Sequence, residues 1–169
     1  MYSSECAEEE LISGTDHFLP DGYLTASSQA DDNHGPSRSR LNASALGELS
    51  GGWVPQYMNN EQWIQVDFGY SIAVMGIALQ GQDQINNFVT QFYVSYSEDL
   101  ETWREYKDPN ENDTMLFDGN FDNVNVRKRY FNHGFIARAV RLHPTAWNGF
   151  IAVRWELIGC PGSLKCSRK

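Results

Sequence analysis

The 169-residue chain fits one domain of ordinary size, and its 41% apolar and 13% aromatic content is that of a packed globular protein rather than a disordered one. Thirteen basic against twenty-two acidic side chains leave a formal charge of -9, a field that repels nucleic-acid phosphates and anionic lipid headgroups. No stretch approaches the roughly 18 apolar residues of a membrane-spanning helix.

Residues 1–13 carry Glu5 and Glu8 to Glu10 where the apolar segment of a secretory leader would fall, so they do not read as one. We divide the chain into an N-terminal tail (1–5), one uninterrupted domain (6–160) and a C-terminal tail (161–169). The first predicted strand is Thr25 to Ser28. The polar stretch from Gln29 to Ser39 then reads as a loop, Ala43 to Leu49 is at most a turn or two of helix, and Gly47 to Gly52 carries three glycines before Trp53. Strands follow at Trp63 to Phe68 and Ile72 to Leu79; in the first, a period of two sets Ile64, Val66 and Phe68 on one face and Trp63, Gln65 and Asp67 on the other. A connection at Gly81 to Asn87 leads to the strand Phe92 to Ser97, where Phe92, Val94 and Tyr96 share a face. Thr114 to Phe117, Arg138 to His143 and Ala152 to Ile158 complete the set. Arg127-Lys128-Arg129 is the strongest basic run; beside Asp118 and Asp122 it reads as a solvated strand edge or turn. The pattern is all-β, with long loops of the kind that carry specificity on a rigid sandwich.

Cys6 precedes the first periodic segment and Cys160 follows the last. Position alone leaves two readings open: free thiols in a cytosolic protein, or a bond closing a loop of roughly 150 residues, worth about 5 kcal/mol in chain-entropy terms. Cys166 is the odd cysteine, either free or available to a second chain. The four histidines (17, 34, 133 and 143) have no zinc-site spacing with cysteine. Asn42-Ala43-Ser44 and Asn112-Asp113-Thr114 are glycosylation sequons near polar loop sequence; such triplets arise often by chance, and only together with the terminal cysteines do they tilt the reading towards secretion. Hydrolytic chemistry finds no support: adjacent carboxylates such as Asp31 and Asp32 point to opposite faces of an extended chain, and there is neither a Gly-x-Ser-x-Gly elbow nor a phosphate-binding glycine loop.

A series of motifs in order resembles the discoidin domain, also called the coagulation factor five/eight C-type domain. It begins with Leu24-Thr25-Ala26-Ser27-Ser28, Ser39-Arg40-Leu41-Asn42, Gly51-Gly52-Trp53 and Trp63-Ile64-Gln65-Val66-Asp67-Phe68-Gly69. It continues through Val89-Thr90-Gln91-Phe92, Trp103, Phe117-Asp118-Gly119-Asn120 and Ala137 to Pro144, and ends with Trp147-Asn148-Gly149 and Val153 to Cys160. The resemblance implies a jelly-roll β-sandwich with loops protruding at one end, a disulfide between Cys6 and Cys160, and a non-enzymatic extracellular module for adhesion or recognition. It also makes Trp63, Asp67, Arg138, Arg154 and Glu156 determinants of the fold, and it favours packing over exposure for Trp53.

Carried over by position, the binding loops are Gln29 to Ser37, Glu48 to Asn60 and Gln82 to Asn87. Their candidate contacts are Asp31, Asp32, Asn33, His34, Tyr57, Gln84, Ile85 and Asn86. Side-chain amides, carboxylates and an aromatic plate suit a glycan, or a cell-surface or matrix protein receptor. Anionic phospholipid is the poorer fit, because only Ile85 is an aliphatic wedge and Asp31, Asp32 and Asp83 carry the wrong sign. Calcium is a candidate where Asp side chains meet carbonyls, although no Asp-x-Asn-x-Asp loop is present. The rival reading is a structural module of a homo-oligomer linked through Cys166.

Overall fold

Ile64, Val66 and Phe68 are buried while Gly69, Tyr70 and Ser71 are exposed, and burial resumes at Ile72, so an alternating pattern gives way to a run buried on both faces. In the computed structural model, which describes residues 9–15 and 17–161, the two segments are a single strand. The strands are β1 (Glu9–Glu10), β2 (Leu24–Ala26), β3 (Ile64–Gln80), β4 (Phe88–Ser97), β5 (Arg104–Glu105), β6 (Phe117–Asp118), β7 (Arg127–Asn148) and β8 (Arg154–Cys160). At the junction Gly69 adopts φ +79 and donates its N–H to Asp67 Oδ1 at 2.8 Å, so β3 bends instead of ending.

Bending lets β3 and β7 serve two layers. Ile64 to Asp67 pairs with Leu142 to Ala139, in a layer that continues from β7 to β4, while β2 covers the other edge of β3. Ile72 to Leu79 pairs with Ala137 to Arg127 and, on its other side, with β8. The fold is an all-β sandwich, as the alternating pattern and the resemblance implied. Its core holds Trp53, Trp155, Phe92, Ile77 and Leu142, all fully buried. Both core tryptophans find an acceptor for the indole N–H: Trp53 bonds Ser28 O at 2.9 Å and Trp155 bonds Ser39 Oγ at 3.2 Å.

Ala43 to Leu49 forms no helix; Leu46 and Leu49 exchange backbone hydrogen bonds around Gly47 at φ +59. The basic run Arg127 to Arg129 opens β7 and pairs with Leu79 to Ile77. The fold determinants act as such: Asp67 takes two bonds from Arg138 at 3.0 and 3.1 Å, and Arg141 lies between the Trp63 and Trp103 rings at 3.9 Å from each.

The cysteine expectations require correction. Cys160 ends β8 as a free, half-buried thiol, no disulfide occurs among the described residues, and Cys6 and Cys166 lie outside them. Among the described residues, then, the expected clasp at Cys160 is absent, and self-association through Cys166 finds no support. Backbone pairing joins the ends instead: Glu9 and Glu10 face Gly159 and Ile158, and Leu11 N–H bonds Leu157 O at 2.9 Å. The buried Glu156 carboxylate then accepts Ile12 N–H at 2.6 Å and Ser13 N–H at 2.9 Å, which gives the N-terminal segment polar partners inside the protein.

Candidate binding groove at the loop end

A buried arginine sets the base of this end. Arg154 donates to three loop carbonyls, Gly81 O at 2.6 Å, Ala43 O at 2.9 Å and Asn123 O at 2.9 Å, so one cation ties three connections together. Above it, Gln82 donates its side-chain amide to Ser50 Oγ at 3.1 Å and accepts from Asn87 Nδ2 at 2.9 Å. Asp83 donates its N–H to Gly51 O at 2.8 Å and accepts from Ala45 N–H at 2.9 Å. Glycine is required at position 51, where a Cβ would stand 2.3 Å from Asp83 Cβ.

The first loop joins the second through backbone bonds from Ala30 N–H to Val54 O (2.8 Å), Ser50 N–H to Asn33 O (3.0 Å) and Val54 N–H to His34 O (3.1 Å). A fourth segment, between β7 and β8, completes the arrangement. Gly149 turns at φ +68, Phe150 N–H bonds Asn87 Oδ1 at 3.1 Å, and Ile151 N–H points at Met58 Sδ at 3.1 Å. Asn148 Nδ2 donates to Asn86 O at 2.9 Å.

These segments enclose a groove of about 380 Å³ walled by Ala30, His34, Val54, Pro55, Gln56, Met58, Gln82, Ile85, Asn87 and Phe150. Its walls are mainly apolar, with Ile85 50% and Phe150 56% exposed at the margin. His34 gives its Nδ1–H to Asp31 at 2.6 Å, so Nε2 is the ring nitrogen available to a ligand, as an acceptor when the ring is neutral. That bond from His34 holds the Asp31 carboxyl below the usual carboxylate range.

The expected contacts divide unevenly around this groove. His34 and Ile85 line it, and Asp31 reaches it through His34. Asn33 and Asn86 contribute backbone carbonyls to the loop scaffold, while Asp32, Tyr57 and Gln84 are exposed and lie off the walls. Polar residues thus brace the loops and remain exposed around them, while the groove walls themselves are mainly apolar. Phe150 and Met58 escaped the sequence reading because a lone aromatic after a glycine turn, or a lone methionine in a loop, has no periodicity. Among the described residues, no group of three or more His, Cys, Asp or Glu is placed to hold a metal ion.

The family model for the F5/8 type C domain matches residues 23–157. Bovine lactadherin is 39% identical over 110 residues, covering 64% of this chain and 26% of lactadherin. Hemocytin of Bombyx mori is 31% identical over 159 residues, covering 92% of this chain and 5% of hemocytin, so the chain spans a small part of the curated relatives it matches. Discoidin II of Dictyostelium discoideum has a similar structure, with a TM-score of 0.76 and 26% identity over 82% of this chain and 55% of that one.

Proposed function

Because the chain belongs to the F5/8 type C domain family, a family of non-enzymatic extracellular recognition modules, we propose that its loop-end groove binds a glycan by the apolar face of a sugar ring. The observation that carries this reading is the meeting of four segments around one groove whose walls include both an exposed aromatic, Phe150, and an imidazole, His34. A pyranose presents C–H groups on one face and hydroxyls around its rim. Phe150 and Met58 suit the first, and His34 Nε2 with the adjoining amides suits the second. The groove's size falls near the lower end of small-ligand sites, consistent with one or two sugar units. Asp31 would act by orienting His34 rather than by direct contact.

Ile85 and Phe150 are also exposed apolar side chains at one end, which is the observation in favour of a membrane reading. The carboxylates of Asp31, Asp32 and Glu48 on the neighbouring loops disfavour an anionic surface. A glycan array and a vesicle flotation assay, using phosphatidylcholine with and without phosphatidylserine, separate the two. We expect array signal that falls about tenfold in affinity in Phe150→Ala with an unchanged melting temperature, a loss of roughly 1.4 kcal/mol. A blank array with vesicle binding would replace the glycan by lipid, and blanks in both would point to a protein partner.

A further inference from the structure

Sequence alone counts the two sequons as equal, but the structure gives one of them a built orientation. Asn42 sits in a tight turn at φ +63 beside the loop end. Its backbone N–H donates to Gln80 Oε1 at 2.8 Å, and its side-chain Oδ1 accepts from Gln80 Nε2 at 3.2 Å. This reciprocal pair fixes which edge of the Asn42 amide faces the protein. The oxygen is turned inward and Nδ2, on the opposite edge, is left to solvent on a residue that is itself exposed. Gln80 is buried and is held in turn by donating to Val124 O at 2.9 Å, so the asparagine is aimed by a fixed partner rather than by a mobile surface group.

We propose that Asn42 carries an N-linked glycan, held outward by Gln80, that covers the exposed apolar flank at Val124 beside the loop end. Val124 is 65% exposed, and its carbonyl and Asn42 Oδ1 bind the same Gln80 nitrogen, so the first sugar would lie next to that side chain. Ser44, which completes the sequon, is exposed just past the turn. Attachment forms a bond from the sugar C1 to Nδ2 and breaks the C1–O bond to a lipid-linked diphosphate donor. Nδ2 loses one proton and keeps the other, and the released diphosphate is the leaving group. Oδ1 is not altered, so the bond from Gln80 survives the modification. The Arg154 bonds to Ala43 O and Gly81 O place this turn against the base of the third loop, whereas the groove is walled by Ala30, Val54, Met58 and Phe150 as well as by that loop. The glycan therefore flanks the groove without filling it, and the inference does not depend on the ligand proposed above.

The test uses the full chain secreted from a eukaryotic host with Asn112→Gln, so that position 42 is read alone. We expect one electrophoretic step removed by peptide N-glycosidase and lost in Ser44→Ala, a change that spares the Asn42–Gln80 pair; Ser44→Thr should retain it. Peptide mass spectrometry on the unmutated chain, where enzymatic release leaves aspartate at position 42, gives the same answer without relying on a variant. Deglycosylation should increase binding of a hydrophobic dye, and Val124→Ser should abolish that increase. An unmodified Asn42 peptide in the secreted chain would overturn the site, and dye binding indifferent to deglycosylation would overturn the covering role.

Discussion

Glu156 and His143 are removed from water by the fold, and their removal has opposite consequences. Burial pushes the Glu156 carboxyl up to about 7 against the pull of its N–H partners. Burial, with Arg141 nearby, pulls the His143 imidazole down to about 4 under the stacked Tyr93 ring. Glu156 binds its proton more tightly folded than unfolded, so its contribution to stability declines as pH rises from its ordinary value toward 7, by at most about 3 kcal/mol. His143 binds its proton more weakly folded, so its contribution grows as pH rises from about 4 to its ordinary value. In the overlapping range the two oppose each other. We expect a nearly flat stability profile for the unmodified chain, a rise with pH in Glu156→Gln and a fall in His143→Gln, read by urea titration at several pH values. Parallel profiles in all three proteins would show that neither group titrates on unfolding. Below this range Asp99 matters: hydrogen bonds from Thr102 and Glu101 N–H hold its carboxyl at about 2, and that support is lost on acidification. At this scale the family resemblance implied Glu156 and Arg154 as fold determinants, but their tasks, accepting one segment's N–H groups and gathering three carbonyls, depend on partners distant in sequence.

Among the elements, the turn between β7 and β8 couples backbone geometry to the groove. Gly149 holds φ +68, and a Cβ there would stand 2.2 Å from Asn87 Oδ1, the atom that accepts Phe150 N–H. Gly149→Ala should therefore cost about 1–2 kcal/mol of stability and displace Phe150, weakening glycan binding by more than the stability loss explains. Paired measurements of melting temperature and array affinity check this, and unchanged affinity would remove Phe150 from the site. Element boundaries show where periodicity stops being informative. Trp63 to Phe68 alternates clearly in sequence and Ile72 to Leu79 is a continuous apolar run, yet the bend at Gly69 joins them into β3. The first half of β7 was missed apart from its basic run, because Arg127 to Gly134 mixes charge and aromatics, and Phe131 is buried against Tyr106 and Phe117 from elsewhere in the chain as well as Phe135 of its own strand.

For the molecule as a whole, β3 and β7 run through both layers, so neither layer can lose its order while the other remains intact. One unfolding transition is expected, with tryptophan fluorescence, reporting on buried Trp53 and Trp155, coincident with far-ultraviolet circular dichroism. Separate midpoints would mean that the layers unfold independently. Amino-acid order alone determined the all-β class, the faces of the regular strands and the family, because alternation and motif order are local properties of the chain. It also located, as segments between strands, three of the loops that wall the groove. The way in which the chain ends are joined was decided by tertiary structure, through strand pairing and a buried carboxylate. So was the apolar character of the groove: Phe150, Met58 and Ile85 are scattered in sequence, and they share a surface only because Arg154, Gln82 and Asn87 draw their loops together.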